Sequence, residues 1–363
     1  MDRMTGIRKK CLAAVCLIQV LTGTAGMAEP TPTKGSDAPG ASRGFARAPE
    51  GALLIERAKA PLYRDPIFDG AADPSVVYDE SDGSWLIYYT QRRANVPCPG
   101  VAWAFGCKIG IARSTNKGRS WFYAGNARGI ACGSDLDTFW APHVFRHEGV
   151  FHMFVTYIDK IPDSWGNGKP TLRHYTSGDG VNWKFSDVVD TGSDNIIDAA
   201  VVKLSDGRWL LVFRDDNAGT RTAMCVSADL KTWKRLPQTI GDRRHEAPVI
   251  MAWKGKYWMI TDDWQGLGVY VSDDGLSYER NGTILGQAGR RPDDGIKGSH
   301  GGVAVVGDRA FIFYHVHPDR QPDVEQWETT NTHTYQYKRS SLQIAELEVV
   351  DGKLTCNRDK FAK

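Results

Sequence analysis

Asp73-Pro-Ser-Val76 opens a short apolar run, and its register returns four times: Ala141-Pro-His-Val144, Asp198-Ala-Ala-Val201, Glu246-Ala-Pro-Val249 and His300-Gly-Gly-Val303. The leading residues stand 68, 57, 48 and 54 positions apart, the spacing of a blade-type repeat. If the five runs are innermost strands around one axis, Asp73, Asp198, Glu246 and His300 converge on a central cavity, with Ala141 at the fifth place. Convergent ionisable groups are a usual signature of a functional site.

Working outward, each run is followed by a glycine turn and a second strand rich in aromatic and β-branched residues. These strands are Trp85 to Thr90, Phe151 to Tyr157, Trp209 to Phe213, Tyr257 to Thr261 and Ala310 to Tyr314. A third strand follows in every unit, and four of the thirds lead into a turn closed by Trp121, Trp183, Trp233 or Tyr278. With a short fourth strand, the five units make an all-β fold, a five-bladed β-propeller occupying residues 51–363. A β-sandwich or a two-domain all-β chain would not explain one motif recurring five times in order.

Composition narrows the function classes. Charged residues are 24% of the chain and the net charge is +2, which argues against a nucleic-acid-binding patch. Aromatics make up 10%, with twelve Trp and thirteen Tyr, suiting both a β core and a sugar-binding cleft. Residues 1–28 read as a signal peptide: Arg8-Lys9-Lys10, an apolar stretch from Cys11 to Leu21, then small residues up to Ala28. Export places the protein outside the cell or in a periplasm. That apolar stretch is too short for a membrane span, and no later one is apolar enough. Residues 29–50, rich in Pro, Gly, Ser and Ala, read as a disordered linker. Five cysteines follow the signal, of which Cys98 and Cys107 flank one loop and could oxidise in an exported protein. Oligomeric state is not legible.

The residues resemble the five-bladed propeller glycoside hydrolases of family 43 and its relatives, over roughly residues 65 to 350. The resemblance implies Asp73, before Pro74, as general base, Asp198 as the residue that orients the acid and tunes its pKa, and Glu246 as general acid. Trp140-Ala-Pro142 is similar to the family's blade-two signature, and Phe313-Tyr314-His315 to a blade-five strand. Two departures bear on the sugar: His143 stands where the family commonly has Asp, and Gly298-Ser-His300-Gly-Gly302 differs from the usual blade-five glycines. A related propeller family uses a histidine as acid, which makes His300 a rival to Glu246.

Such an enzyme needs one carboxylic acid and one carboxylate, standing about 6.5–9.5 Å apart when water attacks directly. The family implies this inverting route, with arabinofuranosides or xylosides of plant- or algal-type glycans as leading substrates. Glu246 has to hold a proton near neutrality, and a like charge at Asp198 would help it. Asp73 has to stay ionised, with Arg92, Arg93 and Arg214 as candidate partners. His300, Trp140, His143, Trp264 and Arg214 are the candidate substrate-binding residues. No cofactor is implied; the centre of the ring could hold a divalent ion such as calcium, though no Asp-rich loop is present. Two other functions fit parts of the pattern. Ser114-Thr-Asn-Lys-Gly118-Arg-Ser-Trp121 resembles the Asp-box turn of sialidases, which need six blades. Ala141, at an inner place, is what a non-catalytic carbohydrate-binding propeller would carry.

Overall fold

The computed structural model describes residues 51–134, 136–166, 168–321 and 327–362. The expected signal peptide and linker therefore lie outside the described residues. Twenty strands make five antiparallel four-stranded sheets, each built from consecutive strands. Blade 1 holds β1 (Ala71–Asp79), β2 (Ser84–Gln91), β3 (Lys108–Ser114) and β4 (Phe122–Asn126). Blade 2 holds β5 (Asp137–His147), β6 (Val150–Asp159), β7 (Thr171–Ser177) and β8 (Lys184–Val188). Blade 3 holds β9 (Ile196–Lys203), β10 (Trp209–Asp215), β11 (Arg221–Ser227) and β12 (Lys234–Ile240). Blade 4 holds β13 (Glu246–Trp253), β14 (Lys256–Asp262), β15 (Leu267–Ser272) and β16 (Glu279–Ile284). Blade 5 holds β17 (Ser299–Val306), β18 (Arg309–Val316), β19 (Ser341–Val350) and β20 (Lys353–Cys356).

The inner strands β1, β5, β9, β13 and β17 meet in ring order, with β17 packed on β1. That last contact demands a residue without a side chain: a Cβ on Gly302 would collide with the Pro74 carbonyl oxygen. Apolar side chains fill each gap between blades, as in the cluster of Val249, Trp258, Val269, Ile312 and Leu347 between blades 4 and 5. Every second strand is apolar on both faces because it is sandwiched between two neighbouring blades.

The recurring turn between third and fourth strands pins adjacent blades. In blades 1 to 4 a serine hydroxyl meets an Asn or Asp side chain two residues on: Ser114 and Asn116, Ser177 and Asp179, Ser227 and Asp229, Ser272 and Asp274. That Asn or Asp accepts backbone N–H groups further round the turn, an Asx-type closure. The aromatic that follows packs on the preceding blade, Trp121 against Phe313, Trp183 against Tyr88 and Trp233 against Phe154. The sialidase-like turn is thus a repeated structural clasp, and five sheets stand where that class needs six.

Among the described residues blade 5 forms in chain order, with no strand contributed from ahead of β1. Closure falls instead to the leading segment. The Leu62 N–H donates to the Leu342 carbonyl at 2.8 Å, and the Leu342 N–H returns a bond to Tyr63 at 2.9 Å. Leu53, Ile55, Leu62 and Tyr63 are buried with Trp85, Phe311 and Phe313 across the seam between blades 5 and 1. All five cysteines of the described residues are free, Cys98 and Cys107 included, and Cys107 is buried.

Candidate active site

Each inner strand carries one extra residue near its start, and these bulges form a ring. On β1 the register shifts between Ala72 and Ser75, on β5 between Trp140 and His143, on β13 between Glu246 and Val249. The corresponding shifts on blades 3 and 5 fall around Asp198 and His300. The backbone turns left-handed at Asp73 (φ 51°), Ala141 (46°), Asp198 (59°) and Ala247 (55°). The left-handed residue therefore belongs to the inner-strand bulge, whether or not it is an acid. Asp tolerates this region better than most residues, while alanine has no side chain to compensate the strain.

In blade 4 the sequence register slips by one. Ala247, not Glu246, occupies the place of Asp73 and Asp198, and Glu246 is the last ladder-paired residue before the bulge, opposite Asp262. Its structural counterparts are Ala72, Trp140 and Ile197. The acid of blade 4 thus enters the cavity from a different backbone position than the other two.

The residue of the second strand opposite that place is Thr90, Thr156, Arg214, Asp262 or His315 in blades 1 to 5. Four of the five accept the bulge N–H of the next blade. Thr90 accepts from Ala141 (2.9 Å), Thr156 from Asp198 (3.2 Å), Asp262 from His300 (2.9 Å) and, with its Nδ1 unprotonated, His315 from Asp73 (3.3 Å). Arginine cannot accept. At blade 3 the Asp198 carboxylate takes over, receiving the Ala247 N–H at 3.1 Å, and Arg214 is released to reach the cavity.

The cavity at this end of the ring has a volume of about 550 Å³, within the usual range for small-molecule sites. Asp73, Asp198, Glu246, Arg214, Trp140, Trp264 and His300 all line it. His143 does not. It lines a separate space of about 340 Å³ further along the inner strands, and its Nε2 lies 3.0 Å from the Val201 carbonyl. The bulge sends it down the channel, away from Asp73, Asp198 and Glu246, while His300 lines both spaces.

Arg92 Nη2 donates to both oxygens of Asp73 at 3.0 Å. His300 Nδ1 and His315 Nδ1 stand 3.4 and 3.6 Å from the same carboxylate. Burial opposes ionisation there, but the Arg92 guanidinium outweighs it and holds Asp73 well below the usual carboxylate range. Arg93 goes elsewhere, to the carbonyls of Phe105 and Ala102. Glu246 behaves oppositely. Burial first, then the charges of Asp198 and Asp262, raise its pKa against the pull of Arg214. Burial and then Asp73 raise Asp198 too. Two carboxyls and one guanidinium in a confined space favour retaining a proton on the pair.

Arg214 donates from Nη1 to Glu246 Oε2 at 2.7 Å and grips Asp216 through Nε and Nη2. Trp264, itself left-handed (φ 60°), donates from Nε1 to Glu246 Oε1 at 3.0 Å. The Glu246 side chain keeps 29% exposure, so one face looks into the cavity. Trp140 packs on Phe105, its Nε1 bound to the Ala104 carbonyl, and Trp165 beside it is 62% exposed. These rings form an aromatic wall. Asp262, His315, His317 and Arg320 also line the cavity. Of these, His317 and Arg320 carried no repeat signal, because they come from the blade-5 loop rather than the ring.

Asp73 is not placed to hold a divalent ion. The Arg92 guanidinium already occupies the cation position against Asp73. Among the described residues no group of three or more His, Cys, Asp or Glu side chains could hold a metal.

The arrangement has solved counterparts. The chain is similar to a thermostable family-43 glycoside hydrolase, with 20% identity and a TM-score of 0.57, covering 81% of this chain and 96% of that one. The fold is that of the family-43 glycoside hydrolases. Two further family-43 structures share this propeller at 15% identity. One is an enzyme from Xanthomonas citri complexed with xylotriose (TM-score 0.57, 81% of this chain and 92% of that). The other is a β-1,3-galactosidase with galactodeoxynojirimycin (TM-score 0.58, 82% and 97%). No protein-family model and no curated protein matches the sequence.

Proposed function

We propose that the protein is an exported glycoside hydrolase that cleaves a poly- or oligosaccharide by inverting single displacement. Asp73 acts as general base and Glu246 as general acid, with Asp198 raising the pKa of the acid. The observation that carries this reading is the divergence of two carboxyls in one cavity: Asp73 held ionised by Arg92, Glu246 pushed toward protonation by burial and Asp198. Opposite protonation states are what a base and an acid working together require.

Asp73 takes a proton from water as that water attacks the anomeric carbon, and Glu246 gives its proton to the departing glycosidic oxygen. The Trp264 Nε1–H and Arg214 orient the Glu246 carboxyl, and Arg214 then stabilises the carboxylate left behind. Trp140, Trp165 and Phe105 offer faces for sugar rings. Arabinofuranosides and xylosides are the first substrates to try, and the segment before the propeller supports export.

The test is product release from a panel of plant and algal glycans. Wild type releases sugar, whereas Glu246→Gln and Asp73→Asn each lose about 10²–10⁴-fold in kcat/KM. NMR of the anomeric signal in the fresh digest reports inversion. Full activity in Glu246→Gln would transfer the acid role to His300. Sugar binding without turnover in wild type would leave a carbohydrate-binding propeller.

A further inference from the structure

The charges of the cavity are segregated: Asp73, Asp198, Asp216, Glu246 and Asp262 line it from blades 1, 3 and 4, and Lys297 and Arg320 from the blade-5 side. Arg92 is committed to Asp73, and Arg214 to Glu246 and Asp216. Blade 5 supplies cations that find no carboxylate among the described residues. Arg320, just after β18, donates from Nε (3.3 Å) and Nη2 (3.1 Å) to one backbone carbonyl, that of Tyr337, and lies 4.0 Å above the Tyr337 ring. Lys297, just before β17, reaches the Ser299 hydroxyl, at 3.4 Å, and no carboxylate among the described residues. Both line the cavity.

Arg320 is held there at a cost. Burial and the nearby charge of Arg92 lower its pKa to about 10, with Tyr337 as the one opposing influence. Taking a cation out of water is repaid only by a counter-charge with good geometry. Neutral sugar hydroxyls do not demand such a group, since carboxylates, amides and aromatic faces serve them. A planar guanidinium fork instead matches two oxygens of an anion, and a nearby ammonium adds a second point of attraction.

We infer that the blade-5 wall of the cavity, Arg320 together with Lys297, binds an anionic substituent of the glycan, a uronate carboxylate or a sulfate ester. This rests on the glycan reading above and narrows it to acidic sugars.

Calorimetric binding of glucuronate against glucose, and of galactose 6-sulfate against galactose, tests it on wild type, Arg320→Gln, Arg320→Lys and Lys297→Gln. Turnover of the glycan panel is measured alongside. One acidic sugar is expected to bind at least tenfold tighter than its neutral partner, and which one does so separates carboxylate from sulfate. Arg320→Gln should bring that ratio toward unity, Lys297→Gln should reduce it, and Arg320→Lys should restore part of it. Equal binding of acidic and neutral sugars, or no binding of either acid, overturns the inference. So does an Arg320→Gln that weakens both classes alike, because that is the signature of lost packing. Anion preference without turnover of any glycan would sink the hydrolase reading and leave the anion site standing. Turnover confined to neutral glycans, without anion preference, would do the reverse.

Discussion

Five carboxyls line the cavity, and the immediate neighbours of Asp73 and Glu246 drive those two to opposite protonation states. Asp73 is ionised because a guanidinium grips both its oxygens. Glu246 carries two donors yet titrates high, because burial and two flanking acids outweigh Arg214. The sign of the pH dependence follows. Activity falls as pH rises through the Glu246 pKa, since the acid then lacks its proton. Asp198→Asn removes a negative neighbour while leaving an oxygen to accept the Ala247 N–H, so the Glu246 pKa drops. The alkaline limb of kcat/KM should therefore move to lower pH; an upward move would contradict the role given to Asp198. The identities of these acids were legible from their repeat spacing. Arg92 and Arg214 were candidate partners, but which acid each grips was not legible: Arg92 turns back on Asp73 of its own blade, whereas Arg214 crosses from blade 3 to Glu246 on blade 4.

At the scale of the element, the unit is the bulged inner strand locked by a side chain of the preceding blade. Thr90 and Thr156 occupy equivalent places but serve different neighbours, Ala141 and Asp198. Thr→Val at either position strands a buried N–H and should cost about 1–3 kcal/mol in denaturant unfolding. Both variants should also lower kcat: Thr156 holds Asp198 in its left-handed conformation, and the Thr90 side chain also hydrogen-bonds the Asp73 carboxylate. Unchanged kcat in Thr156→Val would mean that Asp198 does not need this bond. Strand positions could be read from alternating turns and aromatic runs. The one-residue slip at Glu246 could not, because Val249 follows Glu246 at the same distance as Val76 follows Asp73 and conceals where the extra residue sits.

For the whole molecule, closure of the ring is the critical event. Blade 5 completes itself in order, so the seam to blade 1 relies on the segment around Leu53, Ile55, Leu62 and Tyr63. Burying four such side chains contributes roughly 6–12 kcal/mol at about 1.5–3 kcal/mol each. Net domain stabilities are about 5–15 kcal/mol. A chain starting at Arg64 should therefore lose cooperative thermal unfolding, whereas one starting at Gly51 should keep it. A cooperative melt of the Arg64 chain near that of the longer one would show the segment to be dispensable.

The sequence by itself determined the blades, their number and the acids at their inner ends, since strand alternation, turn chemistry and repeat spacing are local properties written residue by residue. Tertiary structure decided the rest: His143 left the site, Arg214 took Glu246 as its partner, Glu246 came in from a shifted backbone position, and Arg320 arrived from a loop without repeat signal. Each outcome depends on contacts between blades. A side chain's partner across such a seam is fixed by the closing of the ring, and linear spacing carries no record of it.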